Sequence, residues 1–264
     1  MAAQPAPRRP GTRSKDLERY ASLFAKRTRV MRSSAMRDMM EITARPEVIS
    51  LAGGLPDTST FPPEAFAAEM DRITRTSLAE ALQYGPTEGV DLVREQIAQV
   101  MAAEGMDVDP REVTVTTGGQ QAIDLITKVL IDPGDVLICD APTYPGAIPT
   151  FCSYEADIRQ IECDGDGMRI DLLEETIASL AAEGRKPKFI YSIPTFQNPG
   201  GVTLSLERRR RLVELAAEHE ILVVEDNPYG LLRFEGDPLP TLHSLDGGNY
   251  VVYLGTFSKI LSAG

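Results

Sequence analysis

The chain has 264 residues, of which 42% are hydrophobic and 25% charged, ordinary values for a globular protein long enough to build one large domain with appendages. Its formal net charge of −12 argues against a nucleic-acid-binding or anionic-membrane surface for the domain as a whole.

Residues 1–13, rich in Pro and Ala and carrying Arg8, Arg9 and Arg13, read as a disordered tail. Residues 14–60 read as an N-terminal arm and a substrate-side loop. Leu17, Tyr20, Phe24, Met31, Met36, Met39 and Met40 recur at helical spacing, predicting one or two helices that end before Arg45-Pro46. Ile49 to Leu51 is an extended piece leading into the turn-rich Gly53-Gly54-Leu55-Pro56-Asp57. Helices are predicted over about 63–77 and 90–105, split by the loop Gln83-Tyr84-Gly85-Pro86-Thr87-Glu88-Gly89.

Beyond Asp109-Pro110 the pattern changes to alternation. Short β-branched runs stand at 113–116, 136–139, 157–161, 189–193, 221–225 and 250–254. Helical stretches lie between most of them, at 120–130, after Pro145, at 171–182 and at 206–219. In the last of these, Arg208 to Arg211 read as a solvated helical face. Strands alternating with helices predict an α/β fold, a mostly parallel doubly wound sheet built from right-handed crossovers. The domain so defined covers 61–264.

Three cysteines without C-x-x-C spacing (Cys139, Cys152, Cys163) fit neither a disulfide framework nor a zinc site and agree with a reducing cytosol. His219 and His243, the two histidines, supply too little for a metal centre or a Ser-His-Asp triad. No apolar run approaches the roughly 18 residues of a membrane span, and a signal-peptide core is not recognisable, so the expected location is cytoplasmic.

In an open parallel sheet, ligands bind beyond the carboxyl ends of the strands, and the polar motifs all fall there. Thr116-Thr117-Gly118-Gly119-Gln120-Gln121 joins a strand to a helix; it is either a phosphate cradle using helical N–H groups or a tight βα turn. Asp226 follows the apolar Ile221-Leu222-Val223-Val224 and needs a partner, which a protonated pyridine nitrogen would supply; the alternative is a turn cap. Asn198 and Tyr229 can donate to a phenolate oxygen, or serve as a turn residue and a packed core ring. Tyr144, flanked by Pro142 and Pro145, either stacks on a flat ligand or plugs the sheet's rim. Lys259, in Gly255-Thr256-Phe257-Ser258-Lys259, carries an amine able to form an imine with an aldehyde.

Together these residues resemble the class I/II, fold type I, aminotransferases, in the branch of α-aminoadipate and broad-specificity aromatic and branched-chain transaminases. The resemblance runs from about Ser22 to the last residue. Leu51-Ala52-Gly53-Gly54-Leu55-Pro56, Leu82 through Gly89 and Phe196-Gln197-Asn198-Pro199-Gly200-Gly201 carry it most specifically. It implies pyridoxal 5′-phosphate as cofactor, with Gly118, Gly119, Gln120, Thr256 and Ser258 at its phosphate and Tyr144 stacked on its ring. Asn198 and Tyr229 would hold the phenolate oxygen, Asp226 the ring nitrogen and Lys259 the aldimine. Tyr84 would reach the phosphate of the neighbouring subunit in a homodimer. Gly54 would lie by the substrate, and Arg37 would either face a substrate side chain or be a solvated helix charge.

The implied function is a ping-pong transfer of the amino group of an L-amino acid to a 2-oxo acid, 2-oxoglutarate being the expected acceptor. Catalysis would rest on Lys259, Asp226 and Tyr229, with no metal. A β-lyase or another pyridoxal-phosphate enzyme on the same scaffold stays open, as does a non-catalytic sensor domain. The sequence departs from the family at Gly119, where a serine or threonine often stands, and at Gly200, which replaces a threonine and is expected to be harmless. The family pattern continues past Gly264 to a phosphate-binding arginine, an antiparallel strand and a small C-terminal domain bearing a carboxylate-binding arginine. The 264-residue chain is therefore expected to have little or no turnover by itself.

Overall fold

A run of five buried residues, Val136 to Asp140, sets the centre of the architecture: a strand apolar on both faces must be covered on both. The computed structural model describes residues 20–29, 31, 42–43, 45, 47–49 and 54–263. In chain order the helices are α1 (Pro63–Thr76), α2 (Leu78–Ala81), α3 (Asp91–Ala103), α4 (Gly118–Leu130), α5 (Ala147–Ser153), α6 (Ile170–Ala182), α7 (Leu206–His219) and α8 (Leu242–Asp246). The strands are β1 (Val136–Ala141), β2 (Asp157–Asp164), β3 (Gly167–Met168), β4 (Phe189–Ser192), β5 (Leu222–Asp226) and β6 (Val251–Leu254). Their order across the sheet is β3-β2-β1-β4-β5-β6. Every pairing is parallel except the β2–β3 hairpin.

Two cores sandwich this sheet. On one face, α6, α7 and α8 bring Leu173, Ile177, Leu212 and Leu242 against Ile138, Ile190 and Val223. On the other, α4 and α5 bring Ile123 and Phe151 against Leu137, Tyr191 and Val224. A fully buried leucine contributes about 1.5–3 kcal/mol, so these two layers carry most of the fold's favourable free energy. Capping sets where the helices begin. Ser205 accepts from Arg208 N at the start of α7, and Thr241 accepts from Ser244 N at the start of α8. By contrast α1, α2 and α3 have no buried residue, and Phe66, Met70, Leu78 and Leu92 stand exposed.

Three expectations need correction. In the run 113–116 Val113 is extended and Val115 N donates to Glu88 O, but the run pairs with no described strand, so β6 is the edge of the described sheet. Extended φ/ψ is a local preference, whereas strand pairing needs a neighbour. Of the helical arm read from apolar spacing, the stretch 20–29 holds two short 3-10 turns, Ala21–Leu23 and Lys26–Arg29, with no buried residue, Ile42 and Thr43 are helical, and most of the remainder lies outside the described residues. The arginine run is not uniformly solvated, because Arg209 is fully buried. It donates to Leu204 O, Pro194 O, Pro240 O and Thr195 Oγ1 at 2.8–2.9 Å. The reason is geometric: position 209 points at the loop that precedes α7, while its neighbours point away. The predicted tail 1–13 lies outside the described residues.

Candidate active site

Three carboxylates stand at the carboxyl ends of parallel strands, and their partners separate their roles. Asp140, on β1, accepts from Ser192 Oγ at 3.1 Å and Ile193 N at 2.8 Å. Glu225, on β5, accepts from Leu242 N and His243 N at 2.9 Å each. Burial pushes both up to about 7. Both oxygens of each are used by protein donors, so these two tie strand ends to the following segments. Asp226, the last residue of β5, accepts among the described residues only from the hydroxyl of Tyr191, on Oδ2. Burial raises it to about 6, and the tyrosine bond works against that rise.

Around Asp226 the structure gathers several residues singled out by sequence. Burial, and then the Asp226 charge, raise the phenols of Tyr144 and Tyr229 above their ordinary value. Asn198 Nδ2 donates to Tyr229 Oη at 3.4 Å. Tyr144 is seated over Gly146, where a Cβ would stand 2.5 Å from the phenol ring. Lys259 follows β6 and donates from Nζ to Gly54 O at 3.3 Å, which joins the residues at either end of the chain's long excursion through the sheet.

The phosphate-loop candidates divide. Gly118, Gly119 and Gln120 occupy the first turn of α4, where amides lack carbonyl partners within the helix; the Gly118 N–H donates instead to Thr116 O at 2.8 Å, which leaves those of Gly119 and Gln120. Space beside Gly118 and Gly119 is open to 4 Å from an added Cβ. The Gln120 side chain is engaged elsewhere, donating to Gly146 O at 3.1 Å and Thr150 Oγ1 at 2.7 Å. It fastens α4 to α5, which leaves the residue's backbone as its free donor. Thr256 Oγ1 donates to Ser258 Oγ at 2.9 Å and accepts from Ser258 N at 3.1 Å, so these hydroxyls form one small unit. Tyr84 is 99% exposed and touches none of this group. Arg37 lies outside the described residues.

Sequence reading missed Gln197 and Tyr191 as site-builders. Gln197 is buried; its Nε2 donates to Pro142 O, and its Oε1 accepts from Gly200 N at 2.6 Å. One side chain thereby links the loop carrying Tyr144 to the turn carrying Asn198. Phe196, just before it, holds φ +51°, and the Arg233 guanidinium lies 4.7 Å over its ring. The only available signal was a polar residue between site residues of a quoted motif.

Comparison with known proteins gives the family. The family profile described as Aminotransferase class I and II matches residues 46–263. This chain belongs to that family. It is 43% identical over 246 residues to aromatic-amino-acid aminotransferase 1 of Thermococcus litoralis, covering 93% of this chain and 59% of the relative. It is 39% identical over 248 residues to the 2-aminoadipate transaminase of Thermus thermophilus, covering 93% and 60%. Among solved structures, the Pyrococcus horikoshii kynurenine aminotransferase in complex with PMP superposes with a TM-score of 0.85 at 42% identity, covering 94% of this chain and 60% of that one. The sheet and its helices are those of the fold type I large domain. The chain spans about 60% of the length of the relatives it matches.

Proposed function

We propose that this chain carries the cofactor-binding half of a pyridoxal-phosphate-dependent aminotransferase, which moves the amino group of an L-amino acid to a 2-oxo acid such as 2-oxoglutarate. The observation that carries the reading is the arrangement of Asp226. It is a carboxylate raised by burial, with one oxygen held by Tyr191 and the other without a donor among the described residues. Such a group is stabilised by a cationic N–H beside it, and the Tyr144, Tyr229 and Asn198 cluster supplies a flat, donor-bearing surround. The residues present fit the cofactor.

When bound, pyridoxal phosphate supplies an electron sink for the bond that breaks at the substrate Cα. Asp226 holds the proton on the ring nitrogen by accepting from it. Tyr229 and Asn198, already paired at 3.4 Å, donate to the phenolate oxygen. Tyr144 covers the ring face and keeps water from it. The Gly119 and Gln120 amides of α4 and the Thr256–Ser258 unit would hold the phosphate. Lys259 Nζ, which donates to Gly54 O in this structure, would anchor the cofactor and, as the free amine left when the substrate's amino group takes its place, would take the proton from the substrate Cα as general base. Gly54, whose carbonyl accepts from Lys259 Nζ, would lie by the substrate. Tyr84, fully exposed on its loop, is available to the phosphate of a second subunit in a homodimer.

Borohydride reduction after incubation with pyridoxal phosphate, followed by peptide mapping, tests this reading. Labelling confined to Lys259 is the expected result. Labelling scattered over surface lysines, or none, would overturn it.

A further inference from the structure

The grip on Asp226 has a cause that reaches back into the core. Tyr191 is fully buried on β4 and meets Phe151 edge-on, with ring centroids 5.5 Å apart and an interplanar angle of 72°. Phe151 meets Phe189 in the same manner at 5.9 Å. A fully buried phenol packed against Phe151, which Phe189 backs in turn, has little freedom to turn its hydroxyl elsewhere. Register then aims it: Tyr191 pairs with Val224, and Asp226 lies two residues further along β5, on the same face. The hydroxyl's partner is Asp226 Oδ2, and among the described residues no other donor reaches that carboxylate.

Resting on the reading of Asp226 as the partner of the ring nitrogen, we propose that Tyr191 is a positioning residue for that carboxylate: its hydroxyl fixes Oδ2, sets the side-chain rotamer and leaves Oδ1 as the acceptor for the cofactor's N–H. A hydrogen bond weakens steeply once its angle closes below about 120°. A half-buried carboxylate free to rotate would spend much of its time outside that range. With Oδ2 held through an O–H···O⁻ bond, itself among the stronger kinds, the geometry at Oδ1 is set before the ligand arrives. This is preorganisation by a residue that never touches the cofactor.

The test uses the 264-residue chain, its Tyr191→Phe variant and two ligands: pyridoxal phosphate and the 1-deaza analogue, which has carbon in place of the ring nitrogen. Binding is read by equilibrium dialysis and cofactor absorbance. The variant should bind pyridoxal phosphate about tenfold more weakly, the size expected for a hydrogen bond to a charged group, and should bind the analogue within about twofold of the parent. An equal loss for both ligands would make Tyr191 a residue of general structure and overturn the proposal, as would no loss for either. If the unaltered chain binds both ligands equally, Asp226 does not meet the ring nitrogen, and the underlying reading falls with the proposal. Should the phenylalanine variant fail to fold, Tyr191→Met removes the hydroxyl while a flexible apolar side chain fills the core and Asp226 is untouched. It must show the same selective loss, and an equal loss for both ligands, or none, overturns the proposal.

Discussion

Replacing Asp140 by asparagine isolates what a buried carboxylate costs this fold. Asp140 is 2% exposed, and burial raises it from 3.8 to about 7. In the unfolded chain it loses its proton near pH 4, in the folded chain near pH 7. Between those values the folded state holds the extra proton, so stability falls as pH rises through the window and levels off above it. At about 1.36 kcal/mol per tenfold, the ionised form costs on the order of 4 kcal/mol at pH 8 relative to a group with no shift. An asparagine has the same shape and no proton to lose. Its carbonyl can accept from Ile193 N and its NH₂ can donate to Ser192 Oγ, reproducing both contacts of the acid. Urea unfolding of the two proteins at pH 5.5 and pH 8 is the assay. Asp140→Asn should gain on the parent by about 2 kcal/mol between those conditions, the part of the cost that falls in that interval. Glu225 and Asp226, raised to about 7 and about 6, supply the slope that remains. A stability difference that stays the same at both pH values would refute the reasoning, because it would mean that Asp140 does not titrate differently in the two states.

Arg209→Met should destabilise the chain by about 3–5 kcal/mol, since it strips the charge-assisted donors from Leu204 O, Pro194 O, Pro240 O and Thr195 Oγ1. A change below about 1 kcal/mol in urea would show that the cage is not a stabilising network. Gly200→Ala places a Cβ 2.6 Å from Gln197 Oε1 and should cost about 1–2 kcal/mol by breaking the Gln197–Gly200 contact. The same substitution on a Gln197→Ala background should cost far less, and an undiminished penalty there would locate the clash elsewhere.

That second substitution bears on how far sequence alone could reach. Gly200 looked like a neutral departure because the obstacle, Gln197 Oε1, is a side-chain position that chain order does not encode. Strands β1, β4 and β5 were legible, being short apolar runs between turn residues, and α7 was legible to its ends because Ser205 and the helical periodicity agree. β3, two residues long, and α8, five residues long, are too short to show a period. The segment 113–116 has the composition of a strand and no described partner. Asp226, Asn198, Tyr229 and Lys259 could be picked out because each sits in a polar interruption at a strand end. Tyr191 could not, for it lies inside an apolar strand and acts on a residue 35 positions away. Gln197 reaches 55 positions back to Pro142.

The arginine run at the head of α7 has a consequence for anyone redesigning this surface. Helical geometry turns successive side chains by about 100°, so four identical letters face four environments. Arg208 bonds Asp164 and the carbonyls of the β2–β3 hairpin. Arg211 bridges Glu174, Glu214 and Glu218, while Arg210 is exposed. Recoding the run to lysine would go unnoticed at 210, loosen two surface links at 208 and 211, and undo the loop before the Asn198 turn at 209. Tolerance to substitution here changes from one residue to the next, and no scale based on residue type or local charge would find the boundary.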